Sequence, residues 1–532
     1  MTSRRLLMGV LLLALLVRVW GIGFGIPYVN ARPDETQIAG PAVGFLSGDL
    51  RPPLLEWPTL FPYSVAATYV LYYAATKPFA AYKTLEEFSE SRRRNISPFI
   101  YITRALAVIM GVLTVWGVYY VTSLVFDGTI ALGAALFLAL SFLHVRDSHF
   151  GVTDIPMTAM VVLAVAAIER WRQAGGLARA AIAGLLAGLA TSTKYNGLGV
   201  AVPFAVAASL RLFENRDQPR PFVTAAASLG VFGGTLALAL FATSPYILID
   251  WSRFVRSVSA TQAMITAGHG MVIGRGWWYY AQVVLPAAIG WPIFVAGTIG
   301  IAAAVLTRFR QTATLFAFPI AYYLIAGRGY GVFARYILPV IPFLCIGAAW
   351  LVVEAVRLLT RSSSSSMRRL ALVGTLAVVV APTAYKTFLL DRLLGITDNR
   401  TVTGRALVEM LPPGSVFYQS GEAYGHAPLV MDGREANVRV ARFDATTAAF
   451  APDDPDWILI QRSPLVLYSA VPPALEQLLK ERYTLARQFP TETRANVARV
   501  YDQQDAFYLP LEGLEGLSRP GPSFELYSRR QD

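Results

Sequence analysis

The sequence predicts an all-α polytopic membrane protein of about 11 transmembrane helices (about 10–13), followed by a small soluble α/β domain. Three observations carry this expectation. Hydrophobic residues make up 55% of the 532 positions and charged residues only 15%, whereas a soluble globular chain carries roughly 25% charge. Mean hydropathy is +0.47. The apolar residues fall in long runs that stop near Asp391, where prolines, acids and amides begin to rise. Too little polar surface remains to wrap a water-soluble particle. Disorder, coiled coil, collagen and a disulfide-stapled secreted domain are excluded on the same figures. The net charge of +12 raises nucleic acid as a partner, but arginines retained on the cytoplasmic side of a membrane chain account for it. No nucleic acid partner is expected. The single Cys345 lies in an apolar run, so no disulfide or cysteine-based metal cluster can be built.

The first run, Met1 to Phe24, opens with Arg4-Arg5 and stays apolar through Trp20 without a small-x-small cleavage site. It reads as a retained first span rather than a signal peptide. Further apolar runs cover 98–124, 129–144, 155–169, 180–193, 197–212, 222–244, 279–306, 313–326, 337–357 and 369–390. Several fall short of the ~20 residues of a full crossing, so broken or buried helices are expected. Arginines recur on alternate short loops: Arg170 and Arg172 with Arg179, Arg211 with Arg216 and Arg220, Arg308 with Arg310, and Arg361 with Arg368-Arg369. They share one face with Arg4-Arg5 if the N-terminus is cytoplasmic. That pattern survives the Arg92-Arg93-Arg94 cluster only if residues 58–80 lie in the interface or re-enter. The expected arrangement is a plasma-membrane protein with its N-terminus inside and its C-terminal domain outside.

This divides the chain into a membrane domain over 1–390, whose first outer loop covers about 25–97, and a soluble extracytoplasmic domain over 391–532. In the latter, Thr401 to Leu411 reads as a helix stopped by Pro412-Pro413-Gly414. Ser415–Gln419, Trp457–Gln461 and Ala506–Leu509 read as short strands.

The outer loops collect most of the unusual polar residues. The first carries Arg32-Pro33-Asp34-Glu35-Thr36 and then Arg51-Pro52-Pro53 with Glu56. The second runs from His144 through Arg146, Asp147 and His149 to Asp154; Lys194-Tyr195-Asn196 caps another hairpin. Beyond these come Asp250-Trp251, His269, Arg275 and, at the mouth of a later span, Arg335-Tyr336. Ionisable residues near membrane depth are expensive and usually functional. Plainer readings exist for each: Asp34 and Asp154 as helix N-caps, Trp277–Tyr280 as an interfacial belt, Arg335-Tyr336 as a snorkelling anchor.

The Pro33-Asp34-Glu35-Thr36 loop after the first span resembles the Asp-Glu motif of GT-C fold glycosyltransferases. The Pro-Pro segment at 52–53, the His-x-Arg-x-Ser stretch from His144 ending in Asp154, and the Arg-Tyr-x-x-Pro of Arg335 to Pro339 fit the same pattern. Within that superfamily the chain is similar to the protein O-mannosyltransferase and aminoarabinose lipid A transferase group, over roughly residues 1–390. The resemblance implies a GT-C fold and a polyprenyl-phosphate-linked sugar as donor. It also implies transfer to a lipid or protein acceptor on the outer face, within the cell envelope. Arg51-Pro52-Pro53 stands where the group has His-Pro-Pro or Glu-Lys-Pro, and the acid follows at Glu56. Acceptor specificity therefore does not carry over.

On this reading Asp34 is the general base that takes the acceptor proton, oriented by Glu35. Arg275 and Arg335 hold the departing phosphate, with Tyr336 as hydroxyl donor and Arg51 and Lys194 as further cations. Asp154, Glu56 and His269 are supporting residues. The resemblance also makes Glu56 and His269 candidate ligands of a divalent metal, but two ligands do not define a site, and no metal is assigned. The rival classes are a transporter or flippase of lipid-linked precursors, an O-antigen ligase-type transferase using a diphosphate donor, and a non-catalytic scaffold. The spans carry few acids and no visible repeat, against the transporter. A scaffold leaves the acidic first loop unexplained.

Overall fold

The computed structural model describes residues 3–79, 82–217, 219–494 and 497–530. The chain folds as two compact units: one comprises 1–19 with 37–388, the other 20–36 with 389–532. The second unit thus takes in residues 20–36, a segment that the sequence division left in the membrane domain.

Every apolar run expected to be a span is mainly helical among the described residues, but not every helix is by itself long and apolar enough to cross a membrane. Ser97–Val125, Tyr195–Glu214, Pro221–Thr243, Ala334–Leu359 and the run opening at Ser365 are long and apolar enough, five in all among the described residues, or up to seven if each of two bent helix pairs counts as one span. The expectation was about 11 spans, and five to seven pass this length and composition test among the described residues. The opening helix Ser3–Val19 and the helix Leu177–Thr193 have 17 residues each, and Asp154–Ala174 ends in Glu169, Arg170 and Arg172. The two bent pairs are Gly128–Ala139 with Phe142–Ser148, at 60°, and Gly276–Ile289 with Trp291–Thr307, at 117°. Leu60–Thr76 is a 17-residue helix. Its Tyr69 hydroxyl donates to the Phe99 carbonyl at 3.0 Å, packing it on Ser97–Val125. Residue 80, the end of the run expected there, lies outside the described residues.

Two features hold the membrane unit together. Small residues let backbones close up, as is usual where lipid offers no hydrophobic drive between helices. A Cβ built on Gly300 would lie 2.0 Å from the Gly347 carbonyl oxygen, and one on Gly184 2.2 Å from that of Phe232. Secondly, breaks in a membrane helix free carbonyls that lipid cannot satisfy, and side chains supply the missing donors. Thr383 and Thr387 donate to the Leu140 carbonyl at 3.3 and 2.9 Å, and Lys386 Nζ donates to that of Ala287 at 2.7 Å.

The second unit is built on a five-stranded mixed sheet. Its spatial order is Arg439–Val440, Val416–Gln419, Trp457–Arg462, Ser523–Arg529, Tyr483–Phe489. The first three run parallel and the last two join antiparallel. Period-2 alternation gives the sheet two buried faces. Phe417, Leu459, Phe524 and Leu526 pack with Leu407 of the helix Asn399–Met410. Val416, Ile458 and Ile460 pack with Leu475 and Leu479 of Pro473–Arg482. The expected strands at 415–419 and 457–461 and the helix at 401–411 are present. Ala506–Leu509 is not a strand: its residues are buried but irregular, with Ala506 and Tyr508 packed against Leu465, Tyr468 and Tyr501. Tyr508 there accepts a hydrogen bond from Gln461 Nε2 at 2.7 Å.

Candidate active site

Asp34 and Glu35 belong to the second unit. Glu35 opens the helix Glu35–Gly44 and is 1% exposed. Asp34, half-buried, has φ of 71°, in the left-handed region that a non-glycine residue occupies only where its surroundings hold it, at a cost of about 1–3 kcal/mol. An N-cap residue typically takes β-region torsions, which Asp34 does not. The segment before it is firmly held. Arg32 Nη1 donates to both oxygens of Asp505, at 3.0 and 2.9 Å, with both side chains buried, and its guanidinium lies 5.0 Å from the Phe507 ring centre. The Tyr28 hydroxyl donates to the Ala423 carbonyl at 3.0 Å. Burial pushes the pKa of that hydroxyl up to about 12, so it stays a donor. Arg400, paired with Asp398 at 2.7 Å, stacks 5.4 Å from the Tyr28 ring and donates to the carbonyls of Tyr424 at 2.6 Å and Ala31 at 3.4 Å. None of Asp398, Arg400 and Asp505 was singled out from sequence. Buried charges in a polar domain leave no local pattern.

The other candidates belong to the membrane unit. Lys194 Nζ meets Asp154 Oδ1 at 2.5 Å and lies 4.7 Å from the Tyr336 ring centre. Asp154 is the first residue of Asp154–Ala174 and 3% exposed, so it is an ion-pair partner rather than the cap. The pairing partly neutralises the Lys194 charge. Arg335, beside Tyr336, is 8% exposed. Its guanidinium sits 4.8 Å from the Phe333 ring and 6.0 Å from that of Tyr336. A snorkelling anchor keeps its head in water; this one is buried against aromatic faces. The structure thus brings Asp154, Lys194, Arg335 and Tyr336 together.

Arg275 and Arg51 are arranged otherwise. Arg275 is exposed; its Nε donates to the Tyr330 hydroxyl at 3.1 Å, and the guanidinium lies 5.6 Å from the same ring. Backbone pairing of Gly276 with Gly329 and of Trp277 with Gly327 fixes this strap. Arg51, also exposed, pairs with Asp250 at 3.1 Å, and Arg253 donates to the Pro52 carbonyl at 3.2 Å and to that of Pro53. The Pro-Pro segment is therefore tied to the helix Trp251–Ala267. Arg253 was not foreseen as its partner.

The stretch around His144 corrects the sequence reading. It is not an irregular stretch but the buried short helix Phe142–Ser148 beyond the 60° break. Arg146 Nη2 pairs with Asp147 at 2.9 Å. Arg18 Nη2 approaches His144 Nδ1 at 2.9 Å; since a guanidinium only donates, Nδ1 is the acceptor. For the metal suggested by resemblance, Glu56 is exposed, while His269 Nδ1 lies 3.2 Å from Met264 Sδ and its ring packs on Phe333. Among the described residues no group of three or more His, Cys, Asp or Glu side chains could hold a metal ion. The donor set does not fit a metal, and no step is routed through one.

Comparison with known proteins adds the following. Residues 101–267 match the profile of the dolichyl-phosphate-mannose-protein mannosyltransferase family. No curated protein sequence matches the chain. Among solved structures, ArnT from Cupriavidus metallidurans bound to undecaprenyl phosphate is 14% identical over 98% of this chain and 97% of its own, with a TM-score of 0.53. The Archaeoglobus fulgidus oligosaccharyltransferase in the apo form is 13% identical over 98% of this chain and 88% of its own, with a TM-score of 0.53. The A. fulgidus oligosaccharyltransferase AglB, in complex with an inhibitory peptide and a dolichol-phosphate, is 14% identical with a TM-score of 0.50 over 81% of this chain, which spans only 64% of that protein's length. The fold is that of these solved structures over nearly the whole chain, a multi-span membrane fold, and residues 101–267 are similar to the dolichyl-phosphate-mannose-protein mannosyltransferase family.

Proposed function

We propose that this protein transfers a sugar from a polyprenyl-phosphate carrier to a lipid or protein acceptor on the outer face of the membrane, with Asp34 as general base. The observation that carries the reading is Asp34 itself: a carboxylate held at φ 71°, beside the buried Glu35, where the GT-C resemblance expects its acidic pair. Support for the donor class comes from the family match over 101–267 and from the undecaprenyl phosphate held by the ArnT structure of the same fold.

The chemistry follows from the donor. A sugar on a lipid phosphate carries a good leaving group, so the poor partner is the acceptor hydroxyl or amine. Asp34 takes the acceptor proton as the acceptor oxygen or nitrogen bonds to the anomeric carbon. The bond from that carbon to the phosphate oxygen breaks, and polyprenyl phosphate departs with the electron pair. Attack opposite the phosphate inverts the anomeric centre. Arg335, buried among rings, is the stronger phosphate holder because charge-assisted hydrogen bonds gain where water is excluded. Arg275 and Arg51 are exposed and serve as screened cations. Lys194 and Asp154 act as a pair beside Tyr336, and Glu35 orients Asp34 or the acceptor.

This reading includes residues 391–532 as an extracytoplasmic domain and an inward N-terminus. Purified protein incubated with a panel of radiolabelled polyprenyl-phosphate sugars should consume at least one donor and release free polyprenyl phosphate; no consumption across the panel would contradict it. Orientation is tested by a cysteine at the exposed Thr446. An impermeant reagent should label it in intact cells, and at Arg93 too if 58–80 does not cross. Labelling at 446 only after lysis would reverse the topology.

A further inference from the structure

The loop that carries Asp34 is held at several points by C-terminal segments of the chain. Phe24 packs edge-on against Phe507 at 5.6 Å. Tyr28 is held by the Ala423 carbonyl and the Arg400 guanidinium, Ala31 by Arg400, and Arg32 by Asp505 and Phe507. All of these partners come from the C-terminal segments 398–400, 423–424 and 505–508. The last of the grips, Arg32 to Asp505, falls two residues before Asp34.

Two facts make this more than domain packing. First, Asp34 stands in a backbone region that persists only where neighbours over-determine it, and the buried Arg32–Asp505 ion pair holds the chain two residues before it. Second, that pair is buried on both sides, with side-chain exposures of 0% and 1%. A buried ion pair is seldom the best way to stabilise a core, since apolar residues of similar volume do as well or better. Its distinctive property is directional: a carboxylate and a guanidinium fix both a distance and an orientation.

We propose that Asp505 is a positioning residue, acting through Arg32 to set the backbone from which the Asp34 carboxylate is presented, so that the C-terminal domain completes the catalytic site of the first loop. This rests on Asp34 being the base. It also gives the soluble domain a role: residues far along the chain fix the loop that follows the first span.

The test is a set of variants in the full-length protein, assayed with the radiolabelled polyprenyl-phosphate sugar that the wild type consumes. Asp505→Asn should lower kcat by about 10- to 100-fold, the scale of a misplacement near 1 Å, with KM for the donor and undecaprenyl phosphate binding unchanged. Because Asp505→Asn leaves Arg32 buried without its counter-charge, a second variant, Arg32→Met with Asp505→Leu, replaces the pair by apolar bulk. It should melt at or above the wild-type temperature and still show the same kcat loss. Added to Asp34→Asn, neither variant should slow turnover further, since positioning has nothing left to position.

Wild-type kcat in a folded Arg32→Met/Asp505→Leu protein overturns the inference, as does a further full loss on top of Asp34→Asn. The two failures are separable. If Asp34→Asn itself turns over normally, the base assignment falls. If it is inactive while the pair variants are normal, only the positioning role falls.

Discussion

In the membrane unit, the buried Arg18 spends its guanidinium on the carbonyls of Ala14, Leu138 and Ala139 and on His144. In the C-terminal unit, Arg400 and Arg32 spend theirs on Asp398 and Asp505. All three arginines are fully buried, yet the partners differ in kind. Arg18 meets the carbonyls left over where Gly128–Ala139 breaks before Phe142–Ser148; in lipid those groups have no water to turn to, and one long donor serves several. In the C-terminal unit each arginine is paired with a carboxylate, and Arg400 donates to the carbonyls of Tyr424 and Ala31 besides. Arg18 thus serves the backbone at a helix break, whereas Arg32 and Arg400 are each tied to a carboxylate.

The largest expected effect breaks the second half of that contrast. Arg400→Leu leaves Asp398 buried without its counter-charge and should cost the C-terminal unit about 3–5 kcal/mol, read as a drop in its melting temperature. A loss under about 1 kcal/mol would mean that water replaces the guanidinium. Next come the proposed phosphate holders. Arg335→Ala should weaken binding of undecaprenyl phosphate by about 1.5–3 kcal/mol, and Lys should restore only part because it lacks the planar fork. The exposed Arg275→Ala should cost less. Equal losses at both positions would mean that burial does not separate them.

Arg18→Met tests the repair role. It removes donors from neutral carbonyls, so the expected destabilisation is smaller, about 1–3 kcal/mol, measured by thermal unfolding in detergent. A rise in stability would show the break to be satisfied without it. The smallest effect is one of pH. Burial lowers the pKa of His426, whose Nε2 lies 2.9 Å from the Gly421 carbonyl. The unfolded chain therefore binds the proton more readily. Stability of the C-terminal unit is fully present above the unfolded value of about 6.5 and falls as pH drops through it. His426→Gln should flatten that part of the pH profile of unfolding.

How legible all this was in the sequence depended on which physics each feature uses. Helices in the membrane unit follow from apolar runs, and every run proved helical. The helix breaks at Leu140–Ser141 and Gly290 did not follow, because the donors to the carbonyls beside them, Thr383, Thr387 and Lys386, lie far along the chain. In the C-terminal unit, Trp457–Arg462 announces itself by composition. Ser523–Arg529 was missed although Phe524 and Leu526 alternate with polar neighbours, a period-2 signal that was there to find. Tyr483–Phe489 gives no such signal, being an edge strand with an exposed middle. The acidic loop and the cations of the site stand out because such residues are rare near spans. Their local settings do not: the left-handed torsion of Asp34, the Lys194–Asp154 pair and the Arg32–Asp505 pair join positions 40 or more than 400 residues apart, or depend on them.

The most direct measurement on the central claim is single-turnover consumption of a radiolabelled polyprenyl-phosphate sugar by Asp34→Asn. Asparagine keeps the shape, tolerates the left-handed torsion and caps a helix about as well as aspartate, so folding and undecaprenyl phosphate binding should be unchanged. Only the proton acceptor is lost. Turnover should fall on the order of 10²–10⁴-fold, Asp34→Glu should also be poor because the carboxylate moves by a methylene, and Glu35→Gln should be milder. An Asp34→Asn protein that consumes donor at the wild-type rate would contradict the account.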